Sequence, residues 1–336
     1  MMSINAVVAD RANMSSQTGS VTVLTSLYRC GRYLPGYFHH LSRTSNLADI
    51  EVLLLHNQPS DHEMKIVNEH LPKFGEQIRH VVIEKRESYY KSLNRGIDLA
   101  EGKYIAIWNV DDIRMPDSLK RQAHILDQYP EVGLTYGDII ETSDYGKNEG
   151  KFHYHPEYEE KPKEFLRSYF GGCFPMWRKS VHERAGYFDE QMFSGGDFDF
   201  WVRVAYLYRL KKTEGLIGYY LNEGKGLSTA GWRNAAERTV IELRYGQFDK
   251  INFLFVLSAI KNYRIYSIFR NGIPYKVGKY IPNHSAYLLN RLPLFLWGMV
   301  KYPFTFLIPE LAKITHLSFT LGPRAVIQKV SRVIGL

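Results

Sequence analysis

The chain has 336 residues, enough for one large domain or two unequal ones, and its 45% hydrophobic content allows a full core. Two cysteines, Cys30 and Cys173, exclude a disulfide scaffold, and no CxxC or Cys/His spacing suggests zinc, so two free thiols in a reducing compartment are expected. The net charge of +8 is uneven: residues 1–250 carry 32 Lys+Arg and 34 Asp+Glu, whereas 251–336 carry 11 Lys+Arg, one acid (Glu310) and 14 of the 47 aromatics.

Residues 1–19 are polar and lack an apolar h-region, which predicts a mobile leader rather than a secretory signal. "VTVLTS" (21–26) is a short β-branched run and predicts a buried strand. Tyr33, Leu34, Tyr37, Phe38 and Leu41 then recur at helical spacing. "IEVLLL" (50–55) predicts a second strand ending at His56-Asn57, 64–74 a helix, and "IRHVVI" (78–83) a third strand. A helix over 91–100 stops near Gly102, and 104–108 is the fourth strand. Strands alternating with such helices predict a mostly parallel sheet, whose ligands bind beyond the strands' carboxyl ends. Thr25-Ser26, His56-Asn57 and Asn109-Asp111-Asp112 fall there. A second part follows: a helix from "PDSLKRQAHILDQYP", a strand "VGLTYGDII", a polar and aromatic loop over 143–163, glycine pairs at 171–172 and 195–196, and a helix around Phe200, Val204 and Leu207.

Two sets of carboxylates stand out. Asp111 and Asp112 follow an apolar strand, where unpartnered burial is costly. A divalent cation offers one solution, since Mg²⁺ takes one or two protein carboxylates and substrate phosphates complete its shell; a helix cap before "MPDSL" is the other. Asp197, between a glycine pair and a helix, reads either as a first-turn acid or as a general base. Asp199 reads as structural. An acid pair would also suit a hydrolase, but a nucleotide-type sheet with a strand-end metal motif has no purpose there. The twelve histidines show no HxxxH or HExxH spacing and read as surface or packed residues.

In order and spacing, "VTVLTSLYRCGRYL", "EVLLLHNQPSD", "SLNRGIDLAEGKYIAIWNVDD", "MPDSL" and "GYFDEQMFSGGDFDFWVRV" resemble the inverting glycosyltransferases of family 2, over about residues 20–232. The resemblance implies the GT-A fold, α/β with a Rossmann-like, mostly parallel sheet flanked by helices. The GT-A domain would span 20–245, with a nucleotide-binding half (20–142) and an acceptor half (143–245), followed by a basic, aromatic helical region (246–336). It implies a nucleotide-sugar donor linked to UDP, GDP or dTDP, and a saccharide or lipid-linked acceptor in cell-surface polysaccharide synthesis. Thr25, Ser26, Tyr28, Asn57, Asn94, Asn109, Asp111 and Asp112 would bind the donor. Asp111 would hold Mg²⁺ or Mn²⁺, and Asp197 would be the catalytic base. Read from the residues alone, Trp177 and Trp201 either pack in the core or stack a sugar face, and Arg178 either forms a surface salt bridge or approaches a phosphate or an acceptor carboxylate; with Asp199 they make up the acceptor-side expectation, and the "GKGLST" loop at 224–229 sits where the family often has an acceptor-side loop. The chain departs from the pattern where His56-Asn57 replaces a usual acid, where Asn109 holds the first position of the DxD-type motif, and where the first strand ends "TSLYR". These departures keep a non-catalytic nucleotide- or glycan-binding protein as the competing reading. A nucleotidyltransferase is disfavoured because no Gly-rich basic loop follows the first strand.

Residues 292–312 form the most apolar stretch, but Lys301, Glu310 and three prolines interrupt it. A spanning helix needs about 20 nearly charge-free residues. Two readings remain: a helical subdomain, or a surface lying against anionic lipid through Lys276, Lys279, Arg291, Lys301, Lys313, Arg324, Lys329 and Arg332. No nucleic-acid motif accompanies the charge, so nucleic acid is not an expected partner. The expected location is cytoplasmic, at the inner face of the cell membrane.

Overall fold

The computed structural model describes residues 21–158, 173–224, 226, 231–247 and 253–301. The leader, Gly171-Gly172, most of the 224–229 loop and the tail beyond 301, with Lys313, Arg324, Lys329 and Arg332, lie outside the described residues. The chain divides into two compact units.

The first unit comprises 1–161, 169–184 and 208–223. It opens with β1 (Val21–Leu27), α1 (Leu34–Leu41, with Pro35 in its first turn), β2 (Ile50–Asn57) and α2 (Asp61–His70). A capping box starts α2: the Ser60 side chain accepts from the Glu63 N–H while Glu63 accepts from the Ser60 N–H. Next come β3 (Ile78–Ile83), α3 (Tyr89–Leu99, capped by Ser88), β4 (Tyr104–Ile107), β5 (Ile113–Arg114) and α4 (Ser118–Gln128). The unit continues through β6 (Val132–Thr142), β7 (Lys151–His153), β8 (Met176–Arg178), α5 (Val181–Ala185) and, later in the chain, β9 (Arg209–Leu221).

Nine strands form one sheet in the order β3-β2-β1-β4-β8-β6-β9-β5, with β7 paired to β6. β3, β2, β1 and β4 are mutually parallel. Beyond β4 the sheet becomes mixed, because β8 runs antiparallel to both β4 and β6 while β6 and β9 are parallel. The region read as a loop over 143–163 contains β7, a three-residue strand whose Phe152 is 55% exposed and so gives no apolar signal. β8 and β9 are absent from the sequence reading as well. The former is too short to show a period, and the latter ("RLKKTEGLIGYYL") mixes lysines with glycine and pairs to β6 through register shifts.

The core under β1, β2 and β4 joins Val21, Val23, Val52, Leu54, Ala106 and Trp108 to Tyr37 and Phe38 of α1. Each fully buried large side chain contributes roughly 1.5–3 kcal/mol. Gly96 lets α3 sit close on the sheet, since a Cβ there would meet Leu55 Cδ1 at 2.8 Å and Leu24 Cδ2 at 2.9 Å. The parallel register aligns Leu27 with His56 and Leu24 with Ile107, so the carboxyl ends of β1, β2 and β4 finish together.

The second unit comprises 162–168, 185–207 and 224–336. It contains α6 (Gly196–Leu207), α7 (Trp232–Arg244), α8 (Phe253–Asn262), a hairpin of β10 (Ser267–Arg270) and β11 (Ile273–Lys276), and α9 (His284–Lys301). Asn271 and Gly272, with φ of 50° and 78°, form the two-residue turn of the hairpin. Among the described residues no helix is long and apolar enough to cross a membrane.

Candidate active site

At the carboxyl edge of the first unit's sheet, β4 ends and the chain turns sharply through Asn109–Asp112. Trp108 continues the strand, donating its N–H to Leu24 O at 3.1 Å, and its indole donates to Asp112 O at 2.9 Å. The Asp112 N–H donates to Asn109 O at 3.1 Å and closes the turn. The two aspartates then diverge. Asp112 is 1% exposed; its carboxylate accepts from the Leu221 N–H and the Asn109 amide, both at 3.1 Å. Asp111 remains half-buried.

Asn109 receives the Tyr89 hydroxyl at 2.9 Å, which ties the turn to the start of α3. Burial, then the neighbouring Asp111 charge, pushes the Asp112 carboxyl well above the usual range; the Leu221 and Asn109 donors and the Arg114 guanidinium oppose this. Asp111 is also raised, chiefly by burial and further by Glu223, with Arg32 opposing. Arg32 pairs with Glu223, which also accepts from the Tyr33 hydroxyl at 3.2 Å. The turn thus holds a half-open carboxylate, a buried carboxylate and a third acid within electrostatic range.

This set suits an oxygen-loving divalent cation. A cation near Asp111 would offset the neighbouring negative charges that add to burial in raising both carboxyls. Among the described residues no group of three or more His, Cys, Asp or Glu is arranged to hold a metal alone.

The other expected donor contacts separate into two kinds. Ser26 and Tyr28 are half-buried at the end of β1, and the Arg86 guanidinium lies 4.1 Å from the centre of the Tyr28 ring. They share this edge with Asn109 and Asp111. Thr25, Asn57, Asn94 and Asp112, by contrast, are 0–3% exposed. The Thr25 hydroxyl pairs with Tyr37 at 2.7 Å. Asn57 donates to Ser92 Oγ at 2.8 Å and accepts from the Glu87 N–H at 2.9 Å, so it fixes the entry to α3. These residues shape the edge from beneath.

Trp177 is fully buried in β8 and donates to His182 Nε2 at 2.9 Å. Arg178 pairs with Tyr104 at the amino end of β4, away from the Asp111 turn, and donates to Val132 O at 2.8 Å and Tyr129 O at 2.9 Å.

In the second unit, Trp201 and Asp199 are fully buried. Asp199 accepts from Arg244 at 2.7 Å, Tyr245 at 2.8 Å and Arg203 at 3.1 Å, so its carboxylate is committed to the core. Asp197, the second residue of α6, is half-buried, and its Oδ1 accepts from the Phe198 N–H at 2.7 Å. The buried Arg203 and Arg244 that hold Asp199 in the core leave no trace in the local alternation of the sequence.

The sequence reading missed Glu223, Arg32 and Tyr33 around Asp111. Their one signal is a polar "NE" directly after the apolar end of β9, far along the chain from Arg32.

Residues 22–185 match the model described as "Glycosyl transferase family 2". An uncharacterized glycosyltransferase of Methanocaldococcus jannaschii is 23% identical over 77% of this chain and 78% of its own length. A Mycobacterium tuberculosis PGL/p-HBAD biosynthesis glycosyltransferase is 29% identical over 32% of this chain, a match spanning only 41% of that relative. Among solved structures, S. aureus TarS residues 1–349, in complex with UDP-GlcNAc, superposes with a TM-score of 0.55 at 16% identity, covering 83% of this chain and 81% of that one. A Pyrobaculum calidifontis mannosyltransferase in complex with GDP-Man and Mn²⁺ gives 0.50 at 15% identity, covering 98% and 90%. With its α/β sheet, flanking helices and acidic turn, the chain carries a region, residues 22–185, that matches glycosyl transferase family 2, and it is a glycosyltransferase that uses a nucleotide sugar.

Proposed function

We propose that the enzyme transfers a sugar, with inversion and with the aid of Mg²⁺ or Mn²⁺, from a nucleotide diphosphate to a saccharide or lipid-linked acceptor in surface-glycan synthesis. The observation that carries this reading is the half-open Asp111 carboxylate at the strand-end turn, backed by a buried Asp112 that neither faces outward nor needs to. Ser26 and Tyr28 lie at the base side of the donor, and Asn109 orients the turn. Asp111 holds the cation, which when bound supplies positive charge against the departing diphosphate. Asp197 accepts the proton of the attacking hydroxyl. One acid at the leaving group and one at the nucleophile suffice for a single displacement.

Several likenesses support parts of this reading. The TarS neighbour holds UDP-GlcNAc, the archaeal neighbour GDP-Man with Mn²⁺, and an Erwinia amylovora relative, 24% identical over 46% of this chain, is named for amylovoran biosynthesis. In this proposal residues 20–142 serve the donor, 143–245 serve the acceptor, and 246–336 lie against anionic lipid at the cytoplasmic face. The basic excess after residue 250 and the exposed Ile260, Ile273 and Leu289 favour that surface.

The test is nucleotide release from UDP-, GDP- and dTDP-sugars, with Mn²⁺ and with EDTA. Release from one donor class that EDTA abolishes is expected. Nucleotide binding without release in any mixture would favour the non-catalytic reading.

A further inference from the structure

The buried acid Glu237, on α7, is fully enclosed yet lies among none of the residues assigned above. Its carboxylate collects three consecutive backbone N–H groups. Phe193 donates to Oε1 at 2.6 Å, and Ser194 and Gly195 each donate to Oε2 at 2.8 Å. The Ser194 hydroxyl adds a bond to Oε2 at 3.2 Å, the Tyr263 hydroxyl donates to Oε1 at 2.7 Å, and Arg233 Nε lies 3.6 Å from Oε1. All of these residues belong to the second unit.

The segment gathered this way, 193–195, leads directly into α6, whose second residue is Asp197. The fit is close: a Cβ on Gly195 would meet Glu237 Cβ and Ile241 Cδ1 at 3.3 Å. A segment that ends in Gly195 and is followed directly by Gly196 has high conformational freedom when unbound. Charge-assisted bonds from three successive amides remove that freedom, and such bonds are roughly twice as strong as neutral ones.

We propose that Glu237 is a positioning residue for catalysis: it clamps the 193–195 backbone and thereby sets where the Asp197 carboxylate stands. The inference rests on the reading of Asp197 as the base. An ångström of misplacement in a reacting group costs on the order of 100-fold in rate.

The test compares Glu237→Gln with Asp197→Asn in the full chain, using UDP-GlcNAc or GDP-mannose with Mn²⁺, whichever the wild type turns over. Glu237→Gln keeps the shape but loses one accepting oxygen. Its kcat is expected to fall about 10- to 100-fold, with the donor KM within about twofold. Amides of Phe193, Ser194 and Gly195 should exchange with D₂O about tenfold faster, a readout that needs no substrate. Unchanged exchange, or unchanged kcat in a chain where Asp197→Asn is inactive, overturns the clamp alone. Full turnover by Asp197→Asn overturns the base assignment and this proposal with it. If Glu237→Gln does not fold, Tyr263→Phe replaces it, removing one donor to the same carboxylate: a several-fold loss of kcat is expected, and wild-type kcat refutes the positioning role.

Discussion

Arg244→Met isolates the second unit's buried charges. Arg244 is fully enclosed and joins two carboxylates, donating to Asp199 at 2.7 Å and to Asp189 at 2.9 Å. It also donates to Ile265 O at 2.6 Å and Ser267 O at 2.9 Å. Methionine fills much of the volume but leaves the acids without their shared cation. Breaking one buried ion pair costs about 3–5 kcal/mol, because the remaining charge is stranded. With Arg203 still holding Asp199, we take the loss at about 4 kcal/mol. At a urea m-value of about 2 kcal/mol/M, that is a midpoint shift near 2 M.

The pH dependence follows from Asp199. Burial raises its carboxyl, but Arg244, Arg203 and the Tyr245 bond outweigh burial and hold it below the usual value. A depressed carboxylate stabilises the fold above its unfolded pKa, and that stability is lost as pH falls through the folded value. The wild-type advantage over Arg244→Met should therefore be full at pH 7 and shrink below about pH 4. Urea titrations followed by tryptophan fluorescence at both pH values measure it. A loss under about 1 kcal/mol at pH 7, the range of a surface pair, would refute this view of the network.

Three further outcomes are expected. Mn²⁺ with UDP should raise the melting temperature by a few degrees at pH 7.5 and less at pH 5, because the raised Asp111 carboxyl must be ionised to bind; Asp111→Asn should lose the shift, and calorimetric scans would reveal a retained one. Burial, with Glu63 beside it, pushes the Cys30 thiol up to about 12, so mass spectrometry after iodoacetamide at pH 8 should find Cys173 labelled well before Cys30. Burial and then His80 lower His56 to about 4. A His neutral in the fold costs stability as pH drops from about 6.5 toward that value, and His56→Gln should flatten the wild-type loss in that window, by at most about 3 kcal/mol in denaturant titrations.

The first half of the fold is legible because its chemistry is local. β1, β2 and β4 are rich in apolar and β-branched residues of parallel-sheet type, β3 keeps that character at Val81–Ile83, and Ser60, Ser88 and Pro35 mark helix starts by their own side chains. The acidic turn is legible for the same reason, since apolar Ile105–Trp108 ends abruptly at Asn109. What remained hidden depends on partners far along the chain. Glu223 reaches Arg32 across 191 positions, and Asp112 is enclosed where β9 returns to deliver the Leu221 N–H. Trp177 and Trp201 look alike as sugar-stacking candidates, and only packing reveals that both are enclosed.

Asp197→Asn, with donor affinity and turnover measured on the same preparation, tests the division of labour between the two acids most directly. The account predicts that UDP binding with Mn²⁺ stays within about twofold while kcat falls by roughly 10²–10⁴-fold, the usual contribution of a general base. Undiminished kcat, or equal losses of binding and turnover, would contradict it.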